Sequence, residues 1–332
     1  MDTETLERIL EEKRELVSKE IQRMPINSKV PNLLEGIEYS LKGGSKFLRS
    51  TICLETCRRL GGDEKKALPL AIASQLLHNW LIIHDDILDG DVIRYNQETI
   101  WSKFGLSHGV NIGDYLAHKT FGMVLELEDI GLSNDKVLGL VKLLIEVVCK
   151  TLEGQAMDIN LRTKDDFTED EYIKMVTKKT AYYLSFPLIG GAIITNANRK
   201  VLEELMLYSK KLGPAFQIRD DLIDLTDSKG RGEIGCDIKE GKRTLLIAFT
   251  IKKCTDDEKR KLFGILNKPR AVKTEEEVNY VIDLFKKYGA IDYAQQKAEE
   301  FVEEVKSDIK DLPEELKDFL YTFADYVISR ET

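Results

Sequence analysis

The amino-acid sequence predicts an all-α protein, and three observations carry that prediction. Prolines number only 7 in 332 residues, while Lys, Glu, Leu and Ile dominate, so helix formers outweigh breakers. Helical apolar periodicity runs nearly end to end, without alternating strand patterns or NG and DG turns between β-branched runs. Capping boxes recur at Thr168-x-x-Glu171, Thr255-x-x-Glu258 and Thr274-x-x-Glu277, each opening a helix. These signals predict a single domain over residues 1–332, built from about ten or more helices.

In chain order, the acidic, polar N-terminus reads as helix and not as a targeting peptide. Gly61-Gly62-Asp63 ends one helix and starts the next, and Asp89-Gly90 ends a long apolar one. Asn196 to Asn198 and Lys229 to Gly235 are loop signals. The most apolar window, Leu184 to Thr195, holds Pro187, Gly190 and Gly191. At about 12 residues it is too short to span a bilayer, so a buried segment and no stable membrane insertion are expected. The five cysteines show no CxxC, and Cys53 and Cys57 lie one turn apart in an apolar run. Reduced, buried thiols in a cytoplasmic protein follow. With 49 basic against 58 acidic residues, the net charge of −9 argues against a nucleic-acid partner. A second domain would divide near residue 255, where the chain becomes more charged, but no linker composition supports one.

Two aspartate clusters carry the chemistry. The apolar run Gln75 to Leu88 ends in Asp85, Asp86 and Asp89, which share one helical face. Like charges at that spacing repel, so the cluster needs water or a cation. Phe216 to Asp224 repeats the DDxxD spacing with Asp220, Asp221 and Asp224, again at the end of an apolar helix. One such motif is common on solvated turns; the pair is far more specific. Oxygen-only ligand sets suit Mg, whose remaining positions are completed by water and substrate phosphates, and such a set stabilises a leaving diphosphate.

A diphosphate also needs cations. Lys42-Gly43-Gly44-Ser45-Lys46-Phe47-Leu48-Arg49 reads as a Gly-rich turn into a helix, with Lys46 and Arg49 sharing a face. Arg94, Lys179-Thr180 and Lys242 supply further positive charge, although each alone reads equally as a surface residue. His84 precedes the first pair directly. An HD-type metal phosphohydrolase would need partners among His78, His108 and His118 at spacings this chain does not offer, so His84 reads as a core or supporting histidine.

GGSKFLR, LLHNWLIIHDDILDGDVIR, EGQAMD, KKTA, FQIRDDLID and DIKEGKRT stand in the order seen in trans-isoprenyl diphosphate synthases (polyprenyl synthetases), over roughly residues 40 to 250. The sequence resembles that family, its archaeal and bacterial geranylgeranyl type most. The resemblance implies an isoprenoid-synthase-type helical bundle around a central cavity, acting as a homodimer. It implies that Asp85, Asp86, Asp89, Asp220, Asp221 and Asp224 bind roughly three Mg ions, with Gln155 and Asp158 supporting the first cluster. Arg94, Lys179, Thr180, Gln217 and Lys242 match groups that hold the allylic diphosphate or the incipient carbocation. Lys46, Arg49 and His78 match the isopentenyl diphosphate site. Trp80, five residues before Asp85, and Leu81 beside it match the positions that limit chain length.

This sequence departs from the family's pattern at three cations. Tyr95 stands where a second arginine follows Arg94, Phe47 where an arginine follows Lys46, and Glu233 where a lysine precedes Ile-Gly. Gln75 also replaces a glutamate. The allylic site is therefore expected to be largely intact and the isopentenyl site weakened. The implied reaction is head-to-tail prenyl transfer, with geranylgeranyl diphosphate the first expectation for the product and farnesyl the second. Two rivals stand beside it. A class I terpene cyclase would replace the second DDxxD by an Asn/Asp–Ser/Thr–Glu motif, which is not found here. A non-catalytic synthase-like subunit would account for the missing cations but not for two retained clusters of repelling carboxylates.

Overall fold

The computed structural model describes residues 1–26, 28–42, 44–226 and 230–331. Helices account for nearly all of the regular structure, as the periodicity predicts. The described residues fall into two compact units whose segments alternate along the chain.

The first unit comprises Met1–Val147, Leu184–Met206 and Ile309–Phe323. It holds α1 (Thr3–Arg23), α2 (Pro31–Leu41), α3 (Leu48–Arg59), α4 (Glu64–Asp89), α5 (Ile100–Phe104) and α6 (Leu106–Leu125). At its centre α4 packs on α3 and α6. Asp63 caps α4 through the Lys65 N–H, and the helix ends at Gly90 in the left-handed conformation, as Gly61-Gly62-Asp63 and Asp89-Gly90 predict. Apolar side chains surround α4 on most of its circumference: Leu70, Ala71, Ala73, Leu76 and Leu77 are fully buried. That burial anchors the helix while its last turn carries carboxylates. Cys53 and Cys57 are buried free thiols.

Between α4 and α5 the chain forms a feature that the sequence reading did not predict. Ile93–Arg94 and Gln97–Glu98 pair antiparallel as β1 and β2, the only strands among the described residues. Tyr95 and Asn96 form the two-residue loop, both at positive φ (51° and 58°), which makes a type I′ turn. A search for NG and DG signals passes over such a turn because tyrosine seldom adopts this conformation.

The second unit comprises Val148–Tyr183, Leu207–Asp308 and the residues from Ala324 onward. It contains α8 (Glu169–Val176), α11 (Cys236–Glu240), α12 (Leu245–Thr250), α13 (Asp256–Leu266), α14 (Glu275–Tyr288) and α15 (Ala290–Asp308). The helices α7 (Asn134–Leu161), α9 (Tyr182–Ile194), α10 (Arg199–Ile223) and α16 (Glu314–Ser329) contribute residues to both units. All three predicted capping boxes are formed, opening α8, α13 and α14. Leu184 to Thr195 is the buried segment expected, lying mostly within α9.

Between α8 and α9 the helix widens into a π-helical turn at Thr177–Ala181, which holds Lys179 and Thr180. Two glycines let its backbone come close. A Cβ on Gly154 of α7 would lie 2.2 Å from the Lys179 nitrogen, and one on Gly213 of α10 would lie 2.5 Å from the Ala181 Cα.

Candidate active site

In the first unit, the last turn of α4 brings Asp85, Asp86 and Asp89 together on the predicted face. Asp86 and Asp89 are buried, at 3% and 5% exposure, and Asp85 is half-buried. Arg94 reaches back from β1: its Nε donates to Asp86 Oδ1 at 2.5 Å and its Nη2 to Asp91 Oδ2 at 3.1 Å. Burial pushes the Asp86 carboxyl up to about 7, against the pull of Arg94.

Asp91 is a functional candidate that the motif search missed. It is almost fully buried, and its carbonyl accepts bonds from Thr99 Oγ1 and Trp101 Nε1, so the hairpin and the start of α5 hang on it. Its nearness to the first motif was the one available signal, and the DDxxD spacing excluded it.

Beside these groups lies a cavity of about 70 Å³. His78, Asn79, Ile82, Asp86, Arg94 and Tyr95 contribute to its wall. His78 keeps some surface on the cavity side, yet burial, with Arg49 and Arg94 nearby, holds its imidazole well below the ordinary range. The cavity brings His78 and Arg94 to one space, together with Tyr39, Ser45 and Asn79. The loop before α3 differs from expectation. Phe47 takes the left-handed conformation (φ 53°), so the helix starts only at Leu48. Arg49 lies in its first turn while Lys46 precedes it, so the two do not share a helical face. Gly43 of that loop lies outside the described residues.

In the second unit, Asp220, Asp221 and Asp224 stand at the end of α10. Tyr172 of α8, fully buried, donates its hydroxyl to Asp221 Oδ2 at 2.7 Å. Gln217 donates to Asp221 Oδ1 at 3.0 Å and accepts from Thr180 Oγ1 at 3.0 Å. Thr180, Gln217 and Asp221 therefore form one chain of hydrogen bonds. Asp220 accepts from Arg330 of α16's trailing end at 3.3 Å. Asp224 Oδ2 instead accepts the Asp237 N–H at 2.9 Å, tying α10 to α11.

Lys179 donates to Asp158 Oδ2 at 2.9 Å, and Arg162 lies on the same oxygen at 3.4 Å. Gln155, one turn earlier on α7, has a buried amide nitrogen without a hydrogen-bond partner among the described residues. Lys242 contacts Asp237 at 3.0 Å and Glu240 at 2.5 Å. Arg231 joins the same acids, 3.4 Å from Asp237 and 3.3 Å from Glu240, and lies 3.9 Å from Asp224. Glu233 turns away to Lys239 and Arg270. Arg231, two residues earlier, is the cation that meets these acids. Lys229, at the start of that loop, lies outside the described residues. Tyr172, Asp237 and Glu240 escaped sequence reading because their partners are distant in the chain or lie outside any repeated motif.

Comparison with known proteins gives the family. The Polyprenyl synthetase family model matches residues 30–285. Geranylgeranyl pyrophosphate synthase of Geoglobus acetivorans is 33% identical over 328 residues, covering 97% of this chain and 98% of its own. Geranylgeranyl diphosphate synthase of Saccharolobus solfataricus is 34% identical over 276 residues, covering 80% and 83%. The crystal structure of geranylgeranyl pyrophosphate synthetase from Pyrococcus horikoshii superposes with a TM-score of 0.88 at 29% identity, covering 99% of each chain. The family match and these relatives define the class: a prenyltransferase of isoprenoid biosynthesis. The chain belongs to the polyprenyl synthetase family.

Proposed function

We propose that this protein condenses isopentenyl diphosphate with an allylic diphosphate to give a short-chain product, geranylgeranyl diphosphate first and farnesyl diphosphate second. The observation that carries the reading is the end of α4, where three carboxylates cluster and one of them, Asp86, meets the Arg94 guanidinium beside a cavity that also holds His78. The donor set fits Mg: every candidate ligand is a carboxylate oxygen, and Asp86 and Asp89 are buried where water alone would solvate them poorly.

Asp85, Asp86, Asp89, Asp220, Asp221 and Asp224 would hold the metal, about three ions in all, with Gln155 and Asp158 in support. When bound, Mg neutralises the allylic diphosphate and makes it a better leaving group. Arg94, Lys179, Thr180, Gln217 and Lys242 orient that diphosphate and face the charge that develops as the carbon–oxygen bond breaks. Lys46, Arg49 and His78 hold isopentenyl diphosphate so that its double bond reaches the allylic carbon. The proton lost from the new chain passes to the departing diphosphate. Trp80, buried on α4, and Leu81 form the wall that stops the growing chain.

A homodimer fits the surface of α7. Leu138, Ile145, Leu152 and Ile159 are all at least 40% exposed and recur every seven residues, a stripe suited to the same helix of a second copy. Among the described residues no helix is long and apolar enough to cross a membrane. The reduced cysteines favour the cytoplasm.

The test is a Mg-dependent assay with labelled isopentenyl diphosphate and each allylic primer in turn. Elongated diphosphates support the synthase. Hydrocarbons would mark a cyclase, and no product from any primer would mark a non-catalytic subunit.

A further inference from the structure

Trp80 and His84 lie one turn apart on α4. The Trp80 indole N–H donates to His84 Nδ1 at 3.3 Å, and the two rings meet edge to face, with centroids 6.4 Å apart and planes at 86°. An indole nitrogen only donates, so Nδ1 accepts and the ring proton sits on Nε2. That Nε2 lies 3.5 Å from the Val110 carbonyl and 3.6 Å from Asp114 Oδ1, both on α6. Gly113 sits between them. A Cβ at position 113 would stand 2.3 Å from His84 Nε2 and 2.6 Å from its Cδ2. The imidazole thus occupies the space that any side chain at 113 would need, and α6 fixes the ring to which Trp80 is bonded.

We propose that His84, seated on Gly113, is a positioning residue for Trp80 and thereby sets product length. The proposal rests on the assignment of Trp80 as the wall. A wall discriminates between chains differing by one isoprene unit only while its ring stays in one orientation. The His84 bond and the edge-to-face contact supply that constraint, and the closeness of Gly113 keeps His84 in place to supply it.

The test compares product lengths from Trp80→Ala, Gly113→Ala, His84→Leu, His84→Gln and Gly122→Ala by reverse-phase chromatography. Gly122 lies on the same helix, and a Cβ there meets nothing within 4 Å, so it controls for an added methyl group on α6. Gly113→Ala and His84→Leu are expected to shift the ratio of longer to main product about tenfold in the direction of Trp80→Ala. His84→Gln, whose amide oxygen can accept from the indole, shifts it less, and Gly122→Ala leaves it at the wild-type value.

A second readout needs no turnover. The ¹⁵N-labelled indole N–H resonance of Trp80, identified by its loss in Trp80→Phe, moves in His84→Leu and Gly113→Ala but not in Gly122→Ala. Wild-type products and an unmoved resonance in His84→Leu and Gly113→Ala overturn the proposal. If Trp80→Ala still lengthens the products in that experiment, Trp80 remains the wall and only its positioning by His84 falls. Unchanged products from Trp80→Ala would remove both. Should Gly113→Ala not fold, the two His84 variants carry the comparison.

Discussion

At single residues, the cavity beside α4 combines a strained backbone with two displaced titrations. Tyr95 holds a left-handed conformation in the I′ turn, and its Cβ lies close to Gly44. Tyr95→Arg keeps the backbone cost and returns a guanidinium to the cavity wall. The expected result is a Michaelis constant for isopentenyl diphosphate about tenfold lower with kcat little changed, as one charge-assisted pair would give. Steady-state kinetics with an unchanged constant would reject the idea that Tyr95 weakens that site. His78 and Asp86 act on stability with opposite signs. Burial holds His78 well below its ordinary range and pushes Asp86 up to about 7. Between pH 7 and 5 the unfolded chain binds a proton at histidine that folded His78 refuses, so acidification destabilises. Folded Asp86 binds a proton that an unfolded carboxyl takes only near pH 4, so acidification stabilises. His78→Gln removes the first effect alone. Relative to wild type, its unfolding free energy at pH 5 should gain about 2 kcal/mol over its value at pH 7, measured by urea denaturation in metal-free buffer. Equal pH dependence in the two proteins would show that His78 titrates normally.

Among the elements, α11 has only five residues and cannot hold itself together, yet it carries Asp237 and Glu240, the partners of Lys242. Two buried cations hold it and its neighbours in place. Lys273 donates to the carbonyls of Ile238, Lys239 and Leu266, which closes the C-terminal ends of α11 and α13. Burial lowers its pKa to about 8, so at pH 7 it is still an ammonium with one N–H for each carbonyl. Arg243 donates to the carbonyls of Lys164 and Gly241 and to Asn267 Oδ1. Lys273→Met leaves three acceptors without that donor, and the expected loss is about 3 kcal/mol of stability by urea denaturation at pH 7. Because α11 orients the partners of Lys242, the same variant should also raise the Michaelis constant for the allylic substrate while leaving that for isopentenyl diphosphate near wild type. Equal effects on both would mean that α11 supports the fold without positioning Lys242.

For the whole chain, what the sequence revealed followed from how local each interaction is. The all-α class, the three capping boxes, the end of α4 and both aspartate motifs depend on residues within one or two turns, and all were legible. Tyr172 on Asp221, Arg231 among Asp237 and Glu240, and the π-helical turn over Gly154 depend on partners brought near only by folding. The expected shared face of Lys46 and Arg49 failed for a local reason: Phe47 adopts a left-handed backbone that no propensity favours. Metal binding gives the last prediction. A ligand that binds only the folded state adds RT ln(1 + [L]/Kd) to its stability, which is about 2.7 kcal/mol at a hundredfold excess over Kd. If Mg and an unreactive allylic diphosphate analogue bind as one assembly, the two together should raise Tm by roughly 5 °C in a thermal melt. Either alone should raise it much less, since Mg is completed by phosphate oxygens and the diphosphate needs the metal to meet carboxylates. Asp86→Asn and Asp221→Asn should each abolish most of the joint increase. A full increase with the analogue in EDTA would mean that the cations alone hold the diphosphate, and the metal assignment would fall.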